Sequence, residues 1–157
     1  MNTSKHNWKR IVLLILCVAC TQKVDYSEQA HVERLEQYRN DKCAANILFH
    51  EARGESLLGQ RAVYDVVMNR AAKGNRSVCE VMSERNAFSW NIQNSKHTKA
   101  LRPMTQELHN LLQSVKNSDN VLSEKYLYFF GKHIKPKWSR KMSCSIVDSH
   151  LFCKEKA

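Results

Sequence analysis

"ILFHEARGESLLGQRAVYDVVMNRA", residues 47–71, holds two helical patterns separated by a glycine. The first pattern is expected to end or bend at Gly54, because glycine is unfavourable inside a helix. This places Glu51 in the last turns of a helix and Glu55 beyond its end. In the second pattern apolar side chains recur at the i, i+1, i+4, i+5 spacing of an amphipathic helix: Ala62, Val63, Val66 and Val67.

Further helices are predicted on both sides of this stretch. The second helix should close at Gly74-Asn75, and a leading helix is expected from Ser27, a good N-cap residue. One or two helical turns should follow Ser77, whereas residues 86–99 show no period and are predicted to be loop. Another helix is expected from near Pro103, with an apolar stripe at i, i+3, i+4, i+7 formed by Leu108, Leu111, Leu112 and Val115.

The pattern changes from helix to strand after residue 120. "KYLYFF", residues 125–130, is aromatic and strand-like, and we expect Tyr128 and Phe129 to lie in a sheet core. The chain should turn at Pro136, and residues 144–153 predict two short strands around a turn at Asp148-Ser149. The fold class is therefore predicted to be α+β, helices first and a small antiparallel sheet last.

Length and charge narrow the class of protein. The chain has 157 residues, which suits one domain, and 43 % hydrophobic with 25 % charged residues is typical of a folded globular protein. The formal net charge of +10 indicates an anionic partner such as nucleic acid, a membrane surface or an acidic cell-wall polymer. The basic residues are scattered without interleaved aromatics, which argues against nucleic acid as the partner.

The N-terminus predicts export. Lys5, Lys9 and Arg10 precede an apolar run over residues 11–19 that is too short to span a bilayer. This pattern is typical of a secretory signal peptide, which we assign to residues 1–20, although a buried N-terminal helix is the alternative. Residues 16–20 loosely resemble a lipoprotein signal, so lipidation of Cys20 is a second route to the membrane. Removing residues 1–20 leaves a net charge of +7.

The remaining cysteines predict disulfides. An exported chain would carry Cys43, Cys79, Cys144 and Cys153 into an oxidising compartment, where an even set indicates bridges, but the sequence does not choose among three pairings. Four unpaired buried thiols are the alternative.

Metal and cysteine chemistry are poorly supported by the residues around Glu51. His50-Glu51 starts like an H-E-x-x-H zinc motif, but Gly54 stands where the second histidine is needed. The other histidines show no ligand spacing, so no metal site is expected. A Cys–His hydrolase using Cys79 or Cys144 would require a thiol that is not in a disulfide.

Acid–base chemistry is the remaining interpretation of Glu51. Glycosidic bonds break when a carboxylic acid protonates the leaving oxygen, and the apolar residues before Glu51 predict a half-buried carboxyl group with a raised pKa. On this pattern alone, a solvated ion pair at a helix end is the commoner arrangement.

Six short blocks in one order resemble the cell wall hydrolase SleB family of bacteria and phages. The resemblance extends over residues 43–153. The most specific matching residues are Glu51-Ala52-Arg53-Gly54-Glu55, Gly59-Gln60, Met68-Asn69-Arg70, Cys79-Glu80-Val81, Phe88-Ser89-Trp90, and Pro136 with Trp138.

The resemblance implies a small, mainly helical, two-lobed domain related to lysozyme-like glycosidases, assigned to residues 42–154 after a polar tether and leading helix at 21–41. It implies cleavage of peptidoglycan glycan strands between N-acetylmuramic acid and N-acetylglucosamine without a metal or cofactor. Glu51 falls on the family's catalytic position. In a lytic transglycosylase the muramic 6-hydroxyl replaces water, so one acid/base glutamate suffices.

The same resemblance suggests substrate-binding residues. Glu55 either assists catalysis or caps the second helix. Arg53 is expected to anchor a carboxylate or a backbone carbonyl near the cleft. Asn69 and Arg70 are predicted to face the cleft, with a structural ion pair as the alternative for Arg70.

An aromatic block completes the predicted cleft. Phe88, Ser89 and Trp90 are expected to form a wall, with Trp90 stacked on a sugar ring, because aromatics on loops often serve binding. Two departures from the family pattern stand out. Phe130 replaces a frequent histidine, and the turn before the last strand lacks glycine.

The sequence therefore predicts an exported, periplasmic or extracellular enzyme acting on peptidoglycan as a monomer, anchored to a membrane only through its N-terminus or Cys20. Its small size and its signal peptide favour a role in phage-induced lysis, and bacterial wall remodelling is the alternative role. A non-catalytic peptidoglycan-binding lipoprotein with a degenerate site is the alternative function, against which the intact Glu51 argues.

Overall fold

The computed structural model describes residues 5–88, 90 and 101–156, with side chains from Tyr26 onward. The chain divides into two units, Met1–Tyr38 and Arg39–Ala157. In the first unit, the described side chains of residues 26–38 are all exposed on a helix. The second unit contains the hydrophobic core and all the remaining helices and strands that the structure describes.

The first helix, α1 (Lys5–Ala52), is longer than predicted. The expected helix start at Ser27 and the expected tether before it are wrong, because α1 continues through both. The reason is composition, since residues 1–53 contain neither glycine nor proline and nothing interrupts the helix. None of the helices in the described part of the chain has an apolar stretch long enough to cross a membrane. The signal peptide at residues 1–20 stays a prediction.

Three shorter helices follow, and their ends match local sequence signals. They are α2 (Leu57–Gly74), α3 (Val78–Ser83) and α4 (Gln106–Lys116). The predicted closure of α2 is confirmed, with Asn75 in the left-handed conformation at φ 46°. The start after Ser77 is also confirmed, because Ser77 and Glu80 form a capping box. Helix α4 is capped by Thr105 and begins three residues after Pro103.

The C-terminal part forms the predicted antiparallel sheet. Its strands are β1 (Tyr128–Gly131), β2 (Met142–Val147) and β3 (His150–Glu155), in the order β1-β3-β2, with a short 3-10 helix at Lys137–Lys141 after Pro136. The turn between β2 and β3 contains Asp148 at φ 50°, a conformation that Asp tolerates better than most residues. The α+β class predicted from sequence is confirmed.

The core lies between the helices and the inner face of the sheet. Helix α1 contributes Ile47 and Leu48, and the predicted stripe of α4 is buried except for Leu111, which is partly buried. Phe152 of β3 is fully buried, and Phe129 of β1 packs against the core as expected. Other large apolar side chains that are fully buried include Val63, Val66, Val67, Val81, Leu108, Leu112 and Val115.

Two disulfides decide the pairing that the sequence left open. Cys43 in α1 bonds to Cys79 in α3, and Cys144 bonds to Cys153 at directly opposed positions of β2 and β3. Each such bridge contributes about 2–4 kcal/mol in a small domain. Because a cysteine in a disulfide is not a nucleophile, the Cys–His interpretation loses both of its candidate residues.

Candidate active site

Glu51 lies in the last turn of α1, where its carboxyl group is largely enclosed. Burial raises the pKa of Glu51 above its usual value, and this effect outweighs the opposing influence of Trp90 and Arg70. A carboxyl group with a raised pKa stays protonated at a higher pH than an exposed glutamate. The predicted environment for a general acid is therefore present at this position.

Two buried polar atoms at Glu51 lack hydrogen-bond partners within the described part of the chain. They are Oε1 of Glu51 and Nε1 of Trp90. The indole N–H is near enough to the carboxyl group to lower its pKa, but the two groups do not meet hydrogen-bond geometry. Buried polar atoms are nearly always paired, so this pair of atoms marks a place where a ligand would supply the missing contacts.

Aromatic packing holds Trp90 in this position. Its ring stacks on His50 at a centroid distance of 4.3 Å and lies 6.0 Å from Phe88. Phe88 is only 2 % exposed. Phe88 therefore packs in the core beside Trp90, and its place in a cleft wall stays a prediction. Ser89 lies outside the described residues.

Arg70, near the end of α2, connects Glu51 with the sheet. Its Nε donates a 2.7 Å hydrogen bond to the Leu127 carbonyl, and its guanidinium lies about 6 Å from the rings of Phe88 and Phe129. The positive charge favours the ionised form of Glu51, while burial lowers the pKa of Arg70 itself. Arg70 is thus fixed by a carbonyl and two rings, in place of the structural ion pair considered above.

Asn69 has contacts that position the backbone ahead of β1. Its side-chain amide donates to the carbonyls of Ser123 at 2.9 Å and Tyr126 at 3.1 Å. The amide N–H groups of Asn69 are therefore bonded to the protein backbone. Asn69 lies in the same region as Arg70, where it holds the backbone in place.

Glu55 binds the turn between β2 and β3. Its carboxylate accepts hydrogen bonds from the Ser149 hydroxyl and, at 3.1 Å, from the Ser149 backbone N–H, and it lies 3.8 Å from Nδ1 of His150. The adjacent Ser56, not Glu55, is the N-cap of α2 and also donates to Asp148 at 2.6 Å. Glu55 is therefore occupied in holding the hairpin, a role the sequence did not indicate.

Arg53 lies on the surface over the ring of Phe49. The guanidinium carbon is 4.8 Å from the ring centroid, and that of Arg102 is 4.2 Å from the same ring. Within the described residues, Arg53 has neither the carboxylate nor the carbonyl partner that was expected. No group of three or more His, Cys, Asp or Glu side chains in that part of the chain is arranged to hold a metal ion.

Gly59 is required where the hairpin turn meets α2. A Cβ atom added there would lie 2.3 Å from Oδ2 of Asp148, which is held by Ser56, and 3.0 Å from Cβ of Glu55. We expect Gly59→Ala to lower the free energy of unfolding by about 1–3 kcal/mol, because the Asp148 hydrogen bonds must break or the turn must move. Urea unfolding followed by circular dichroism measures this change.

Gly54→Ala is the matched control for this prediction. A Cβ at Gly54 meets nothing within 4 Å, and its φ is not positive. The substitution should leave stability unchanged or raise it by about 0.4–1 kcal/mol. Equal effects of the two alanines would contradict the proposed contact between the hairpin turn and α2.

Comparison with known proteins gives one family and two similar structures. The model of a family described as "Cell Wall Hydrolase" matches residues 54–153. The catalytic domain of the Bacillus cereus SleB protein is 26 % identical, with a TM-score of 0.56, covering 74 % of this chain and 91 % of that one. No curated protein sequence matches the chain.

The second similar structure comes from Bacillus anthracis. It is the catalytic domain of the germination-specific lytic transglycosylase SleB, 24 % identical with a TM-score of 0.57, covering 73 % of this chain and 93 % of that one. At that identity the likeness shows the fold alone. The family match begins at Gly54, three residues after Glu51, so the role of Glu51 depends on its own surroundings.

Proposed function

Because the chain belongs to the cell wall hydrolase family, we propose that it is an enzyme that degrades peptidoglycan by cleaving the bond between N-acetylmuramic acid and N-acetylglucosamine. The observation that carries the proposal is Glu51. Its carboxyl group is buried, has a raised pKa and keeps one oxygen without a partner among the described residues. A general acid that protonates a glycosidic oxygen needs this combination.

Glu51 serves as both acid and base in the proposed reaction. The protonated carboxyl group donates its proton to the glycosidic oxygen as the bond to C1 of the muramic ring breaks. The resulting carboxylate then takes the proton of the muramic 6-hydroxyl, which attacks C1 and closes a 1,6-anhydro ring. Glutamate returns to its protonated form, so the cycle balances without water, metal or cofactor.

The contacts of Glu55 support the transglycosylase form of this reaction. A hydrolase of the inverting type needs a second carboxylate to activate water. The Glu55 carboxylate is instead bonded to Ser149 and close to His150. Since Glu51 is the one carboxyl group left free among the described residues of the site, attack by the substrate's own hydroxyl is the simpler mechanism.

Export is the proposed setting of the activity. The pattern of residues 1–20 is that of a secretory signal peptide. The two disulfides are stable in an oxidising compartment outside the cytoplasm, which supports the same setting. The net charge of +7 left after removal of residues 1–20 would speed encounter with an anionic wall. Phage-induced lysis and wall remodelling are the two biological roles that fit this setting.

The pH dependence of cleavage tests the acid. Since Glu51 must be protonated to donate, the rate should fall as pH rises through its raised pKa, above the ordinary value of 4.5. Arg70 favours the carboxylate, so Arg70→Gln should raise the pKa further and move this fall to higher pH. Loss of turbidity of purified peptidoglycan gives the rates.

Arg70→Lys keeps the charge and is the control for this experiment. Its pH profile should stay closer to wild type than that of Arg70→Gln. A profile that shifts to lower pH in Arg70→Gln, or a wild-type rate that does not fall with rising pH, would rule out Glu51 as the general acid.

A further inference from the structure

An open groove of about 770 Å³ lies beside the Glu51 site in the second unit. Its size falls in the range of ligand-binding pockets. Arg70 lines the groove and also acts electrostatically on the Glu51 carboxyl group. A molecule bound in the groove would therefore extend from the place where the glycosidic bond is broken.

The groove is strongly basic. It is lined by one carboxylate, Glu84, and by four cationic side chains: Arg70, Lys73, Arg76 and Arg85. Arg76 lies 3.6 Å from Glu84, which neutralises that pair. Lys73 and Arg85 have no ion-pair partner among the described residues. Three net positive charges thus remain for a ligand, and Arg and Lys bind carboxylates through charge-assisted hydrogen bonds.

Aromatic rings also line the groove. Tyr128 and Trp138 lie 5.6 Å apart, and Trp138 is 45 % exposed. Such rings pack against apolar chain or sugar faces while the cations hold charged groups. The combination fits a flexible ligand that has both carboxylates and aliphatic side chains, and a neutral sugar chain alone would leave the charges unmatched.

We propose that this groove binds the carboxylate-bearing peptide stem of peptidoglycan. The stem branches from the lactyl ether of the muramic ring, the same ring whose C1 is attacked at Glu51. A muramic ring at Glu51 would therefore place its own stem near Arg70, the residue shared by the Glu51 site and the groove. This inference rests on the proposed function, and it adds that the enzyme prefers glycan strands that still carry stems.

The test compares peptidoglycan freed of attached wall polymers, with and without amidase removal of the stems. Wild type should have a higher kcat/KM on stem-bearing strands. In Lys73→Gln/Arg85→Gln, the ratio of kcat/KM for stem-bearing over bare strands should fall about three- to tenfold, since each exposed charge contact contributes modestly. The control Lys132→Gln/Lys135→Gln removes the same charge from exposed positions outside the groove and should keep the wild-type ratio.

Equal ratios in both double variants, or a wild-type ratio of one, would overturn the groove assignment while leaving the proposed cleavage intact. If wild type cleaves neither substrate, the proposed function fails. The groove assignment is then tested separately, by calorimetric measurement of the binding of a free stem tetrapeptide. Weaker binding in the groove variant alone supports the assignment. Equal affinity in the two double variants, or no binding by wild type, rejects it.

Discussion

Glu51→Gln is expected to lower the rate of peptidoglycan cleavage by about 10²–10⁴-fold, the usual contribution of a general acid or base. Glutamine has nearly the shape of glutamic acid but cannot donate the acid proton or accept it back. The measurement is the rate of muropeptide release from purified peptidoglycan, with circular dichroism to show that the variant is folded.

Two glutamates serve as comparisons for this variant. Glu107→Gln changes an exposed carboxylate in the first turn of α4 and should keep the wild-type rate. Glu55→Gln weakens the contact with Ser149 and should cost less activity than Glu51→Gln. A loss in Glu55→Gln as large as that in Glu51→Gln, with the fold intact, would indicate a two-carboxylate mechanism.

The stability of Glu51→Gln provides an independent check on the burial of this group. The folded-state pKa of Glu51 is raised, so below its unfolded value of 4.5 both states are protonated and the group has no effect on stability. As pH rises from 4.5 to the folded pKa, the unfolded state ionises while the buried carboxyl group stays protonated, so wild type loses stability. The variant should therefore be at least as stable as wild type at neutral pH, with an advantage that disappears below pH 4.5.

Arg61→Met is expected to cost about 3–5 kcal/mol of unfolding free energy, because it leaves a buried charge without its partner. Arg61 is 8 % exposed and donates to Asp65 at 2.8 Å, which is 4 % exposed. It also donates to the carbonyl of Val115 in the last turn of α4 and to that of Ser118 just after the helix. Urea unfolding followed by circular dichroism measures the loss.

The same network fixes the chain that leads to the sheet. The other carboxylate oxygen of Asp65 accepts from the backbone N–H groups of Val121 and Leu122. Arg140→Met removes an exposed arginine and should change stability by no more than about 0.5 kcal/mol. If Arg61→Met were as mild as Arg140→Met, the buried pair would not be what joins α2 to the end of α4.

Local signals made the element boundaries of the second unit predictable. Asn75 ends α2 and Ser77 starts α3 through contacts within one helical turn. These helix ends can therefore be predicted without knowing the rest of the fold. The long α1 shows the limit of such signals. Polar composition near Ser27 suggested a break, but only glycine or proline would have imposed one.

Long-range partners were not predictable from the sequence. Glu55 meets Ser149 across 94 residues, and Asn69 meets Ser123 across 54. Nothing in local spacing identifies such pairs, because tertiary packing decides which donors face which acceptors. The same applies to His50, whose stacking contact with Trp90 holds that ring in place.

Some features of the structure had a usable signal. Arg61 and Asp65 stand four apart inside an apolar helix pattern, which indicates an ion pair that would be buried with the helix. Cys144 and Cys153 flank the predicted turn at Asp148-Ser149 symmetrically enough to face each other in a hairpin. In contrast, the role of Glu51 came from the family resemblance, since a glutamate at a helix end is by itself unremarkable.

We propose that Glu51 alone carries both proton transfers of a lytic transglycosylase. The decisive test is mass spectrometry of the muropeptides that wild type and Glu51→Gln release from purified peptidoglycan. Wild type should release 1,6-anhydro-muropeptides, and the variant almost none. Muropeptides with reducing ends would contradict this proposal, because they require water and a second group to activate that water.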